Sequence, residues 1–216
     1  MDSHTKPGGV TFTVLAAPAH DDFTEYSSTL LVDFPSLGTA TALRRFSGAL
    51  TYKQLLKEQN IKASTEVLLI FCGHGTEFEL LGPALPGTSE ETSDFYNDTH
   101  VRLGPRFMLA FCCSAGKGLG AEYSKAATRA FVGFKDELYM VMADGKYAFW
   151  WKKLMHSIAW AMLTTTDKAT LEQNVRDIYR SALAAFPAHE DSQHDWGFMM
   201  RAYLRRQLES LVIVLT

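Results

Sequence analysis

The sequence predicts an α/β fold in which a largely parallel sheet lies between helices in a three-layer αβα sandwich. Val67-Leu68-Leu69-Ile70-Phe71-Cys72 and Phe107-Met108-Leu109-Ala110-Phe111-Cys112 are unbroken apolar runs, the pattern of parallel strands buried on both faces. After the second run, strand and helix periodicities alternate, and that alternation builds a sheet covered by helices on both sides.

In chain order, residues 10–16 read as a first strand, with Val10, Phe12 and Val14 alternating before the turn signal Ala17-Pro18. Leu30-Leu31-Val32 reads as a weaker second strand. Thr51 is placed to cap a helix over 52–59, with Leu55 and Leu56 inward and Asn60 as its stop. The strand over 67–72 ends abruptly at Gly73-His74-Gly75, and the one over 107–112 ends at Cys113-Ser114-Ala115-Gly116. The polar stretch 82–104 between them reads as a surface loop. A helix is expected after Gly120 to about Arg129, then a strand over 130–134. Helices over 146–163, 170–186 and 195–210 and a last strand over 211–215 complete the chain. In the first of these helices Tyr147, Trp150, Leu154, Ile158 and Ala161 form one apolar stripe, which reads as core.

With 216 residues, 47% of them hydrophobic, the chain is long enough for one well-buried core and short for two, so 1–216 reads as a single domain. Twenty-one basic against twenty-four acidic residues, with no long run of either sign, argue against nucleic acid as a direct partner. Residues 1–9 lack the apolar stretch of a secretory signal, and no apolar run approaches the ~20 residues of a membrane-crossing helix. The expectation is a soluble, cytoplasmic protein off the membrane. Three cysteines, two of them adjacent, make a poor disulfide framework and fit a reducing compartment.

Amide hydrolysis by a thiol needs a thiolate, a proton donor for the leaving amine and hydrogen-bond donors for the oxyanion. Cys113 leaves a buried strand just before small residues and a helix, where a helix amino end favours the thiolate and the residue's own N–H can face the oxyanion. His74, between two glycines, can swing beside a substrate, and Gly75 can offer a second N–H. Cys72 and Cys112 read as core filler.

The blocks Leu69-Ile70-Phe71-Cys72-Gly73-His74-Gly75 and Met108-Leu109-Ala110-Phe111-Cys112-Cys113-Ser114-Ala115-Gly116 resemble the His-Gly and Cys motifs of clan CD cysteine peptidases. These are the caspase-like enzymes, among them caspases, separases and CHAT-domain proteases. In CHAT and separase members a small residue precedes the nucleophile and a glycine follows three places later, the register of Cys112, Cys113 and Gly116. The resemblance covers residues 65–180, more loosely over 130–137 and 171–179. It departs at Cys112, where alanine or glycine is usual, and in the glycine-rich segment 116–120.

The resemblance implies a caspase-like, CHAT-type domain that makes limited cleavages in a protein substrate through His74 and Cys113. It further implies an oxyanion hole from Gly75 and Cys113, no cofactor or metal, and control by a regulatory protein partner in cell defence, including antiviral defence, or cell death. Asp136 and Glu137, following the strand over 130–134, are the candidates for a pocket that takes Arg or Lys before the cut, a buried carboxylate binding a guanidinium through paired charge-assisted hydrogen bonds. Arg44, Arg45 or Arg102 would instead line a pocket for an acidic residue.

Four other readings stand beside this one. Gly116-Lys117-Gly118-Leu119-Gly120-Ala121 with Asp136 fits a dinucleotide fingerprint, though mid-chain. A zinc site from Cys72, His74, Cys112 and Cys113 has suitable ligand types at poor spacing. A serine hydrolase using Ser114 lacks the glycine two positions before it. The non-enzyme alternative is a peptidase-like fold that binds a partner without cleaving it.

Overall fold

The computed structural model describes residues 13–16, 21–30, 42–45, 67–83, 92–98, 101, 105–126, 129–143, 145–186 and 196–216. The described strands are β1 (Thr13–Ala16), β2 (Ala42–Arg45), β3 (Val67–Cys72), β4 (Glu79–Pro83), β5 (Thr92–Asn97), β6 (Phe107–Phe111), β7 (Ala130–Phe134) and β8 (Leu211–Leu215). The helices are α1 (Asp22–Leu30), α2 (Leu119–Lys125), α3 (Lys146–Thr164), α4 (Lys168–Ala184) and α5 (Gly197–Ser210). Six strands form one sheet in the order β2-β1-β3-β6-β7-β8, and β4 and β5 form a separate antiparallel pair. The large sheet is parallel except for β8, which lies antiparallel on β7.

The period-2 alternation of a strand divides the core into two layers. Leu68, Ile70 and Cys72 of β3, with Phe107, Leu109 and Phe111 of β6, pack on the face covered by α3, α4 and α5, around the fully buried Trp151. Leu69, Phe71, Met108 and Ala110 point the other way, toward Leu80, Phe95 and Tyr96 of the β4–β5 pair and toward Leu119 and Tyr123 of α2. Every β6 residue is buried, which is why the sequence there shows no polar alternation.

Several elements differ from the sequence expectation. Leu30, the first residue of the strand expected over 30–32, lies in a helix, and Leu31 and Val32 lie outside the described residues. Asp21 caps that helix through its carboxylate on the Thr24 amide at 2.8 Å, and Phe23, Tyr26, Ser27 and Leu30 follow the helical spacing. The stretch 82–104 contains β5 and the end of β4, because Leu80, Phe95 and Tyr96 have a core layer to cover. α2 stops at Lys125, short of Arg129. In α3 the buried tryptophan is Trp151, while Trp150 is half-exposed beside Phe186 and the Lys153 ammonium. Residues 10–12, the helix expected over 52–59 and Arg102 lie outside the described residues. Among the described residues no helix is long and apolar enough to cross a membrane.

The β4 end of the molecule is joined to α2 at one tight point. The Leu119 amide donates to the Glu77 carbonyl at 2.8 Å, and a Cβ on Gly118 would meet that same carbonyl oxygen at 2.3 Å. Backbone cannot yield to that overlap without moving the turn. Gly118→Ala is therefore expected to lose on the order of 1–3 kcal/mol through overpacking, read as a lower urea midpoint at unchanged slope. An unchanged midpoint would show that this junction is loose.

Candidate active site

Parallel strands deliver their carboxyl ends to one edge, and adjacent parallel strands deliver them ~4.8 Å apart. β3 and β6 are such neighbours, with Cys72 paired to Phe111 and the Gly73 amide extending the ladder to the Phe111 carbonyl at 3.2 Å. His74 and Cys113 each sit two residues past that last pair, so the two residues named from the sequence share one edge of the sheet.

Cys113 opens a tight turn. The Ala115 amide donates back to the Cys113 carbonyl at 2.7 Å, which forces Ser114 to φ 58°; it alone among the described non-glycine residues has a positive φ. That left-handed backbone is unfavourable for a side-chain-bearing residue and is held by its surroundings. The Ser114 amide donates to the Asp136 carbonyl at 3.1 Å, Gly116 to Phe134 at 2.8 Å, and Lys117 to Ser114 at 2.9 Å. The thiol itself is half-buried, and its sulfur accepts the Leu138 amide at 3.4 Å.

The segment carrying Leu138 is pinned from three sides. Gln207 of α5 donates to the Tyr139 carbonyl at 2.9 Å, Trp151 of α3 to Val141 at 3.1 Å, and Tyr26 of α1 to Ala143 at 2.7 Å. The helix α2 begins only at Leu119, so a turn separates Cys113 from the helix amino end expected behind it. Leu138, not the helix, supplies the N–H at sulfur.

The other two thiols are buried on opposite faces of the sheet. Burial pushes Cys72 up to about 12, its sulfur lying 3.3 Å from that of Met155. Burial likewise drives Cys112 well above the ordinary thiol range. Its sulfur lies where a Cβ on Gly75 would come within 2.8 Å, so Gly75 is a glycine because Cys112 fills the space beneath it. Since Cys72 and Cys112 belong to different core layers, they cannot converge on one zinc ion.

His74 has a partner that sequence reading missed. Its Nε2 lies 2.5 Å from Asp21 Oδ2, at the start of α1, and the Phe23 ring lies against the imidazole with centroids 5.6 Å apart. Asp21 and Thr24 bond reciprocally, Thr24 N to Asp21 Oδ1 at 2.8 Å and Asp21 N to Thr24 Oγ1 at 2.9 Å, a capping box with the acid at the N-cap. Partial burial pushes the Asp21 carboxyl up, but the Thr24 amide and hydroxyl together with His74 outweigh it, and its pKa falls from 3.8 to about 2. An ionised carboxylate only accepts, so Nε2 carries the proton and Nδ1 is the basic nitrogen of the neutral ring.

The remaining candidates sit as follows. The Gly75 and Cys113 amides donate to no backbone carbonyl among the described residues; the bridge from Gly75 to Leu80 runs through the His74 carbonyl and the Thr76 amide. Asp136 and Glu137 lie at the same edge, but both are exposed, so neither is the buried carboxylate expected of them. Glu137 bonds to the Tyr139 hydroxyl and lies 3.7 Å from Arg206. Arg44 and Arg45 are on β2, separated from β6 by two strands.

The dinucleotide reading meets a physical obstacle. Such a loop binds phosphate with free amides, whereas the amides of Gly116, Lys117, Leu119 and Gly120 already donate to protein carbonyls. Cβ atoms on Gly116 and Gly118 would meet Phe134 and Glu77 backbone at 2.8 and 2.3 Å, so these glycines serve packing. Compared with known proteins, the chain matches no family model and no curated sequence.

The depressed Asp21 carboxyl makes stability depend on pH. A carboxylate whose folded pKa lies below its unfolded value stabilises above the unfolded pKa and loses that contribution as pH falls through the folded one. The stability gap between wild type and Asp21→Asn should therefore be full above about pH 4 and vanish toward pH 2, by thermal unfolding across that range. A gap that stays constant with pH, or none at neutral pH, would contradict the assignment.

Proposed function

We propose that this chain is a caspase-like cysteine endopeptidase with Cys113 as nucleophile and His74 as its proton-transfer partner. The observation that carries the reading is the pairing of a half-buried thiol on a strained turn with an Asp-bound histidine at the end of the neighbouring parallel strand.

In this reading Cys113 Sγ attacks the scissile carbonyl carbon, and the oxygen, gaining negative charge, is received by the Gly75 and Cys113 amides. His74 Nδ1 takes the thiol proton and gives it to the departing amine. The acyl group left on sulfur is then transferred to water, which regenerates the thiol. Asp21 acts through His74 by fixing its tautomer, a positioning residue. Glu137 is committed to Tyr139 and Arg206, so Asp136 is the carboxylate that would meet a basic side chain before the cut. The pinned wall around Cys113 supports limited cleavage, and the resemblance of the two motifs supports control by a regulatory partner, in cell defence or cell death.

Cys113→Ala should abolish peptide cleavage. Cys112→Ala should retain it and lose stability on the order of 1 kcal/mol from the space left under Gly75. His74→Ala should lower turnover by roughly 10²–10⁴-fold in a folded protein. A fluorogenic panel varying the residue before the cut measures all three and reads the Arg or Lys preference. Cleavage that survives in Cys113→Ala, or turnover near normal in His74→Ala, would sink the reading. Cleavage after Asp alone would remove Asp136 from it.

A further inference from the structure

One face of α5 is turned to solvent. Met200, Leu204 and Gln207 are buried, while Phe198, Ala202, Arg205 and Arg206 are exposed, and Phe198 keeps 76% of its surface. Phe198, Arg201, Ala202, Arg205 and Arg206, with Asp136, line a groove of about 560 Å³ that Glu209 closes at the far end. Phe198, Arg201, Ala202, Arg205 and Glu209 follow the spacing i, i+3, i+4, i+7, i+11, so they run along one side of the helix. Ala202, the smallest of them, leaves the space between the aromatic ring and the arginines.

The groove is graded along its length. An aromatic ring stands at the α5 amino end, three guanidinium groups lie in the middle, and the two carboxylates sit together at the carboxyl end, where the Lys135 amide bonds Ser210. From Phe198 to Glu209 the helix rises roughly 16 Å, the length of about five extended residues. Two of the arginines are held in place in advance. Arg201 donates from Nη1 to the Leu183 and Phe186 carbonyls, each at 2.8 Å, and Arg206 lies over the Tyr139 ring at 4.9 Å. Arg205 has no ion-pair partner among the described residues.

One of these arginines already faces a carboxylate that is not itself part of the groove lining. Glu137 reaches Arg206 at 3.7 Å from a neighbouring segment while remaining well exposed. That segment also contacts the candidate nucleophile. Asp136 accepts the Ser114 amide and Leu138 donates to Cys113 Sγ.

We infer that this groove docks an acidic peptide segment of a protein partner. An apolar side chain packs on Phe198, and following Asp or Glu side chains pair with Arg201, Arg205 and Arg206, one of them replacing Glu137 on Arg206. Ordered guanidinium groups form such pairs with little loss of side-chain freedom. The chain's net charge of -3 and the two carboxylates closing the groove disfavour a uniform polyanion such as nucleic acid. Exchange at Arg206 frees the Glu137 side chain, which belongs to the segment bonded to the Cys113 turn, so docking and the thiol are linked through that segment. The linkage, though not the docking itself, rests on the peptidase reading.

The test is fluorescence anisotropy with the full chain carrying Cys113→Ala, so that the probe is not cut. The probe is a fluorescein-labelled peptide of about ten residues with one Leu followed by four Glu, long enough to span the groove. Its control has Gln for every Glu. Saturable binding of the Glu peptide is expected, weakened at least roughly tenfold by Arg205→Glu with Arg206→Glu and by raising salt to about 0.5 M, and strengthened several-fold by Glu137→Gln as the competing carboxylate is lost. Thermal unfolding confirms that the variants are folded. Equal binding of the Gln peptide, unchanged binding to the doubly reversed protein, or tighter binding of a thymidine oligonucleotide would overturn the proposal. Docking that behaves as expected, beside cleavage by the unmodified chain that survives unchanged in Cys113→Ala, would leave this inference standing and remove the peptidase. Cleavage with none of the binding would do the reverse.

Discussion

The geometry of the site depends on one junction, the contact between the loop after β3 and the turn after β6. The Leu119 amide meets the Glu77 carbonyl across a glycine that has no room for a side chain, and Cys112 fills the space under Gly75. These two contacts hold the His74 loop against the Cys113 turn. Neither involves the reactive atoms. Both use groups that general packing would not place there, a buried thiol and a glycine facing backbone, and the first takes the amide with which α2 begins.

The strain at Ser114 makes sense against that junction. A left-handed serine is unfavourable alone, yet backbone hydrogen bonds from Ser114, Ala115, Gly116 and Lys117 close around it. The segment that accepts the first of them is in turn bonded to α1, α3 and α5. α1 contributes twice, through Tyr26 to Ala143 and through Asp21 to His74, so the same short helix braces both halves of the site. A site built this way is ordered in advance of any ligand.

The parts of this arrangement that could be read from the sequence are those where one physical cause dominates. β3, β6 and β7 are buried on both faces, so hydrophobic continuity reveals them, and the abrupt change to Gly73-His74-Gly75 and to Cys113-Ser114 marks where they leave the sheet. The α1 helix was hidden because its apolar positions, Phe23, Tyr26 and Leu30, are interleaved with Thr and Ser of weak helix propensity; only the Asp-x-x-Thr cap signalled it. The β4–β5 pair was hidden because its buried residues are few and its pairing is irregular between Leu80 and Leu81. Asp21 was illegible as a site residue because its role comes from tertiary placement, fifty-three positions from His74. The approach of Glu137 to Arg206 likewise comes from tertiary placement, because no local pattern connects α5 to the segment after β7.

The central claim is that Cys113 and His74 act as one chemical unit, and the most direct measurement is the site and rate of covalent capture by a peptidyl ketone electrophile. Intact mass followed by peptide mapping locates the adduct. A single adduct on Cys113, formed at a rate that falls steeply in folded His74→Ala, is the expected result. An adduct on any other residue, or capture of Cys113 at the same rate without His74, would contradict it.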